Sequence, residues 1–344
     1  MVKGNELVNR LKGLLTITDK QQLDNQIKDL KEQINNTELQ KLDLEMEERY
    51  FVNELEQILA AKSIKRMKYY LERLIKALTE VRTNSINDIN LNRWKEYKDI
   101  LTDSLWLLEK RDSSGKHQGW YHGNFIPQIP NQLLRRYTKQ GEWVLDTFLG
   151  SGTTLIESQR LGRNGIGVEL QSEVAAKAKE LIAQESNSQE VQSEVWVGDS
   201  TELDFEQRLT ELGIDAVQLL IMHPPYWDII SFSERKEDLS NAQNQKDFLT
   251  KLGEVVDNTY DILESGRYLV LIIGDKYAGS EWIPLGFYSM QEVMKRGYIL
   301  KSIVVKNFED TQAKRQRKNL WRYRALVGGF YIFKHEYIFI FQKE

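Results

Sequence analysis

Seven short apolar runs, most of them followed by an amphipathic segment, fill the chain from residue 115 onward and constrain its fold more than any other feature. They are "WVLDT" (143–147), "GIGVEL" (165–170), "EVWVGD" (194–199), "AVQLLIM" (216–222), "YLVLII" (268–273), "YILKSIVVK" (298–306) and "HEYIFIF" (335–341). Runs this short suit strands buried on both faces, and the helical segments between them supply the crossovers that parallel strands require. The expected class is therefore α/β, a doubly wound sheet of seven strands. No helix separates the last two runs, so the last strand is expected to be antiparallel, in a hairpin at the sheet edge.

The upstream third reads differently. All five prolines lie beyond residue 126, and before Gly115 the only glycines are Gly4 and Gly13. This divides the chain into a helical region, 1–114, and an α/β domain, 115–344. Leu23, Ile27, Leu30 and Ile34 form an apolar stripe that resumes with Leu39, Leu42 and Met46. Thr37 and Gln40 have the spacing of a capping box between the two parts. Residues 63–81 and 86–110 read as two further helices. A coiled coil or bundle of this kind serves as a homodimer contact, a dock for a specificity subunit, a DNA contact or a packed extension.

Composition removes several chemistries. With no cysteine, disulfides, thiolate zinc sites and cysteine nucleophiles are excluded. The formal net charge of -4 argues against coating nucleic acid by overall charge. No apolar run approaches the ~20 residues of a membrane span, and the N-terminus lacks a signal peptide's apolar core, so a cytoplasmic location is expected. His117 and His122 lack a supporting carboxylate cluster, and no metal is expected.

The first strand of the α/β region ends in "LDTFLGSGTTLIESQRLG", turning through Gly150 and Gly152 into a helix. Glycines there let a ligand approach the backbone at the strand's carboxyl end. Asp146, Glu169 and Asp199 end the first three strands. Three carboxylates, for ammonium, ribose hydroxyls and an adenine amine, with no phosphate-binding lysine, suit a cationic nucleoside better than a pyrophosphate.

Here the chain resembles a known family. "DTFLGSGTT" is similar to the "DPFxGSGTT" S-adenosylmethionine loop of DNA amino-methyltransferases, which modify adenine N6 or cytosine N4, and "HPPY" (223–226) resembles their "(D/N/S)PP(Y/F/W)" tetrad. "YHGNFIPQIPNQLLRRYT" (121–138) resembles the segment that walls the methionine end of the cofactor pocket, through Phe125. The resemblance covers about residues 115–344 and implies a Rossmann-like methyltransferase fold. It also implies S-adenosylmethionine as cofactor, held by Phe125, Asp146, Phe148, Gly150, Ser151, Gly152, Thr153, Glu169, Asp199 and Ser200. Thr147 stands where the family has proline, and His223 where it has an acid, amide or hydroxyl.

An exocyclic amine is a poor nucleophile because its lone pair is delocalised into the base. The resemblance assigns two acceptors for its hydrogens, the His223 side chain and the Pro224 carbonyl, with Pro225 stiffening the turn. Tyr226 offers a face on which a flipped base stacks, and Trp227 a further wall. Histidine accepts only when neutral, so activity that depends on His223 is expected to fall as pH drops through the imidazole's pKa. Without a cysteine, methylation of cytosine C5 is excluded.

Residues 314–324 hold Lys314, Arg315, Arg317, Lys318, Arg322 and Arg324 with Trp321 and Tyr323 and no acid. Basic side chains interleaved with aromatics suit phosphate contact and stacking, so DNA is the expected partner. RNA or protein-glutamine methylation, or a catalytically weak DNA-binding subunit, are the rival readings.

Overall fold

The computed structural model describes residues 2–35, 46–308 and 318–344. Thr37, Gln40, Leu39 and Leu42 lie outside the described residues, as do Lys314, Arg315 and Arg317. Two compact units divide between Asp99 and Ile100.

The first unit is helical. Helices α1 (Val2–Leu14), α2 (Lys20–Asn35), α3 (Glu48–Leu59) and α4 (Ile64–Thr79) pack into a bundle, α3 against both α2 and α4 and α1 against α4. Ser63 caps α4 by accepting the Arg66 N–H. The stripe of Leu23, Ile27, Leu30 and Ile34 is buried inside this unit with Phe51, Leu55 and Leu71. Glu54, 1% exposed, is ion-paired with Arg73 and with Lys95 at 2.6 Å, which makes its burial tolerable.

The helix expected over 86–110 does not form. Asn84, Asn87 and Asn90 each accept backbone N–H groups two or three residues downstream, offering the chain turns in place of a helical ladder. Only a short 3-10 turn, Leu91–Glu96, remains. Leu105–Trp106 is instead a strand, β1, and belongs to the second unit, whose boundary therefore precedes Gly115.

All seven expected strands appear in that unit. They are β2 (Trp143–Asp146), β3 (Asn164–Glu169), β4 (Ser193–Val197), β5 (Val217–Met222), β6 (Leu263–Ile273), β9 (Tyr298–Asn307) and β10 (His335–Lys343), while β7 (Lys276–Ala278) and β8 (Glu281–Ile283) form a separate ribbon. With β1 the main sheet has eight strands, in the order β1-β9-β10-β6-β5-β2-β3-β4. The last strand is antiparallel to both neighbours, yet it lies inside the sheet, because it inserts between β6 and β9 while β1 covers β9.

Both faces of the sheet are apolar, which explains the near-continuous runs. Val144, Leu219, Ile221, Val270 and Ile272 pack with Ile129 and Leu133 of α5 (Gln128–Tyr137). Leu145, Leu220, Met222 and Leu271 pack with Phe248, Leu252 and Val255 of α9 (Gln245–Tyr260) and Leu285 and Val293 of α10 (Leu285–Met294). Helices α6 (Thr153–Arg160), α7 (Ser172–Ala183) and α8 (Phe205–Leu212) follow β2, β3 and β4.

Candidate active site

Strands β2 and β5 are parallel neighbours, Asp146 opposite Ile221, although a long stretch of chain separates them. The order of the sheet reverses between them, and in such folds the carboxyl ends at the reversal open a crevice for ligands. Residues 147–151 leave β2 and residues 223–226 leave β5 at this point. Both line one cavity of about 1540 Å³.

The loop owes its shape to buried polar contacts. Asp146 Oδ1 accepts the Phe148 N–H at 2.9 Å and Oδ2 accepts the Thr154 hydroxyl at 2.5 Å. Burial pushes the Asp146 carboxyl up to about 6, and these two hydrogen bonds pull the other way. Asp146 does not line the cavity; it braces the loop from behind, where an ammonium-binding residue was expected in the wall. Gly150 (φ 53°) donates its N–H to Glu169 at 2.9 Å, and a Cβ there would meet Tyr121 at 3.0 Å. Gly152 (φ 85°) starts α6 against Ile182. Thr153 donates to Asn124 at 2.8 Å and, like Gly152, lies behind the wall.

The other expected cofactor residues face the cavity: Phe125, Phe148, Gly150, Ser151, Glu169, Asp199 and Ser200. Burial raises the Glu169 carboxyl, against the Gln171 and Gly150 N–H groups that hold its charged form. Ser200 donates to the Thr147 carbonyl at 2.8 Å and ties the β4 end to the loop.

Sequence reasoning missed other polar groups of this cavity wall. Arg111 donates to the Phe125 carbonyl at 2.8 Å, while its Nε and Nη2 are buried without a partner, as are Asn124 Nδ2 and Thr147 Oγ1. All three residues line the cavity. A buried donor left unpaired costs roughly 1–3 kcal/mol, so these groups suit a ligand's acceptors. Acids and an arginine in the lining of one cavity are charges that suit a nucleoside carrying a zwitterionic amino-acid tail.

The tetrad lines the cavity as expected, and its surroundings hold a second surprise. His223 Nε2 lies 3.2 Å from the Tyr226 hydroxyl, which donates to Glu336 at 2.7 Å; Glu336 is ion-paired with Lys306 at 3.0 Å. Glu336 and Lys306 face each other across β10 and β9, both nearly buried. Charges inside the otherwise apolar runs "SIVVK" and "HEYIFIF" were the only sequence signal for them. Burial pushes the His223 imidazole down to about 4, with Lys306 adding to the fall and Glu336 opposing it. Gly274, at the end of β6, leaves room for the Tyr226 ring, since a Cβ there would come within 2.8 Å of it.

Trp227 does not line the cavity. Its backbone is left-handed (φ 51°), its indole donates to the Ala242 carbonyl at 2.9 Å, and Lys276 lies 3.7 Å over its ring. Of the basic segment, α11 (Lys318–Gly328) carries Trp321 in the cavity wall and exposed Arg322 and Arg324, with Arg324 over the Trp321 ring at 5.4 Å. Tyr277 and Phe330 stack at 4.4 Å in the same wall. His117 is committed to Glu157 at 2.6 Å.

Comparison with known proteins agrees with this geometry. A family model described as DNA methylase matches residues 13–180, a span that includes the loop and Glu169 and ends before His223. The Type II methyltransferase M2.DpnII of Streptococcus pneumoniae is 34% identical over 146 residues, 41% of this chain and 46% of its own. M2.LlaDCHI of Lactococcus lactis subsp. cremoris is 33% identical over 140 residues, 39% of this chain and 44% of its own. This chain thus spans less than half the length of these relatives. The crystal structure of TrmN from Thermus thermophilus overlaps 64% of this chain and 49% of its own, at 14% identity and a TM-score of 0.41. With the "GSGTT" loop and the "HPPY" tetrad leaving neighbouring strands, the chain is similar to DNA methylases over residues 13–180 and to Type II methyltransferases over about two fifths of its length.

Proposed function

We propose that this chain methylates the exocyclic amine of a base flipped out of duplex DNA, adenine N6 or cytosine N4, within a restriction-modification system. The observation that carries the reading is the meeting of the 147–151 loop and the 223–226 tetrad in one cavity at the sheet's reversal. S-adenosylmethionine supplies an electrophilic methyl group when bound. Glu169, Asp199 and Ser200 hold its nucleoside, and Arg111 and Asn124 its amino-acid tail. His223 and the Pro224 carbonyl accept from the target amine, which favours a pyramidal nitrogen with a free lone pair, and positioning supplies much of the acceleration. His223 then takes the proton that the methylated amine sheds. Tyr226 stacks on the extruded base.

Tritiated methyl transfer offered to duplex DNA, total RNA and protein tests the substrate class; label in RNA or protein alone would sink the DNA reading. Expression in a methylation-free host, followed by modification-sensitive sequencing, identifies the base and the motif, and shows whether a specificity subunit is required.

The depressed His223 pKa moves the expected pH window. Only the neutral imidazole accepts, so kcat is expected to stay level from pH 8 to about 5 and to fall with a midpoint near 4. Stability follows the same group: the unfolded chain takes up its proton near 6.5 and the folded chain only near 4, so the fold loses stability as pH falls through that interval. A decline in kcat centred at 6.5, in protein shown by circular dichroism to be folded, would contradict this environment.

Arg322 and Arg324 are assigned to DNA phosphates. Replacing either with alanine is expected to weaken DNA binding several-fold and to lower the slope of log K against log salt by about 1, with cofactor affinity unchanged. Fluorescence anisotropy over a salt series reads both quantities. A slope unchanged in both variants would remove α11 from the interface.

A further inference from the structure

We propose that Glu336 and Lys306 are positioning residues that act through Tyr226 to hold the His223 proton on Nε2, leaving Nδ1 as the acceptor that faces the target amine. The inference follows from counting protons. The Tyr226 hydroxyl has one hydrogen, and it is given to Glu336 Oε2 at 2.7 Å. The other oxygen of Glu336 lies 3.0 Å from Lys306 Nζ in an ion pair, and a carboxylate so paired only accepts. The tyrosine oxygen can then meet His223 Nε2, 3.2 Å away, only as an acceptor. Nε2 must therefore carry the ring proton, and a neutral imidazole so arranged has its lone pair on Nδ1.

A family member with an acid, amide or hydroxyl at this position needs no such arrangement, because an oxygen acceptor is present whichever way the side chain is protonated nearby. An imidazole has two nitrogens and one proton, and the wrong tautomer would present an N–H to an amine that is itself a donor. The cross-strand pair of Lys306 and Glu336 removes that ambiguity. Its register explains why both charges sit in apolar strands: Glu336 is paired with Lys306 across β9 and β10, at the end of the sheet where β5 delivers His223. Phe125, with its ring centroid 4.8 Å from that of His223, limits the imidazole's rotation from another side.

The assignment of Nδ1 to the amine rests on the methyltransferase reading above, whereas the tautomer itself does not. Long-range nitrogen-15 NMR of the imidazoles measures it directly. The chain has four histidines, and His223→Asn identifies the relevant signal by its loss. Wild-type His223 is expected to show a protonated Nε2 and an unprotonated Nδ1; a proton on Nδ1 overturns the proposal. In Glu336→Gln and in Tyr226→Phe, which keeps the stacking ring, the two tautomers are expected to mix. In these variants kcat is expected to fall by roughly ten- to a hundredfold, with the cofactor Kd unchanged. A tautomer that stays on Nε2 in both variants, or kcat unchanged in both, also overturns it. Because wild-type protein suffices for the first measurement, a variant that fails to fold does not block the test. If His223 shows the expected tautomer and no methyl reaches DNA, the functional reading fails and the relay stands.

Discussion

Tyr226→Ala is expected to reduce methyl transfer to duplex DNA by about a hundredfold or more. A base stacked on an aromatic side chain is worth roughly 1–3 kcal/mol by alanine substitution, and about 3 kcal/mol corresponds to some hundredfold in rate. The hydroxyl adds to the loss, because its removal strips a donor from Glu336 and an acceptor from His223. Cofactor affinity is expected to change by no more than a few-fold, since the ring lies against Gly274 at the end of β6 and the loop is held by Asp146 and Glu169. Single-turnover transfer and calorimetry with S-adenosylmethionine separate the two effects. Transfer within tenfold of wild type would remove Tyr226 from the base site.

Glu157→Ala is expected to be the most destabilising single change near the site, at about 3 kcal/mol or more. Glu157, 2% exposed on α6, takes His117 Nε2 at 2.6 Å, the Asn131 amide at 2.7 Å and the Arg160 guanidinium at 3.1 Å. Removing one member of such a buried cluster leaves the others unpaired, which costs far more than the cluster's net contribution. For a unit of this size the loss corresponds to a Tm lower by roughly 6–12 °C. The consequence reaches the cavity, because His117 anchors the segment that carries Tyr121, Asn124 and Phe125. Glu157→Gln, which keeps an acceptor, is expected to lose distinctly less. Thermal unfolding of the two variants checks both, and equal Tm values in Glu157→Ala and wild type would refute the anchoring role.

Several parts of the molecule were legible in the residues. The strand runs were readable because burial on both faces leaves a dense local apolar pattern, and β2, β5 and β6 appear where "WVLDT", "AVQLLIM" and "YLVLII" place them. Trp227 was misjudged for a local reason: adjacency to Tyr226 says nothing about side-chain direction once the backbone turns left-handed. Asp146 was correctly marked as a strand-end acid, but the Thr154 hydroxyl, eight residues on, turns it inward. The segment 86–110 has helical apolar spacing, yet its asparagines form turns that compete with that spacing.

What the sequence determined by itself is therefore what is encoded within a few residues: the alternation of strands and helices, the glycine turn at 150–152 and the proline-stiffened tetrad at 223–226. The tertiary structure decided what depends on strand order. It brought the loop and the tetrad together on β2 and β5, drew Leu105–Trp106 onto the edge of the sheet, and buried unpaired donors of Arg111, a residue of the cavity wall. It also set Glu336 against Tyr226 across 110 residues of chain. Local patterns carry backbone preference and burial, whereas a hydrogen bond between distant residues exists only once pairing and register have been chosen.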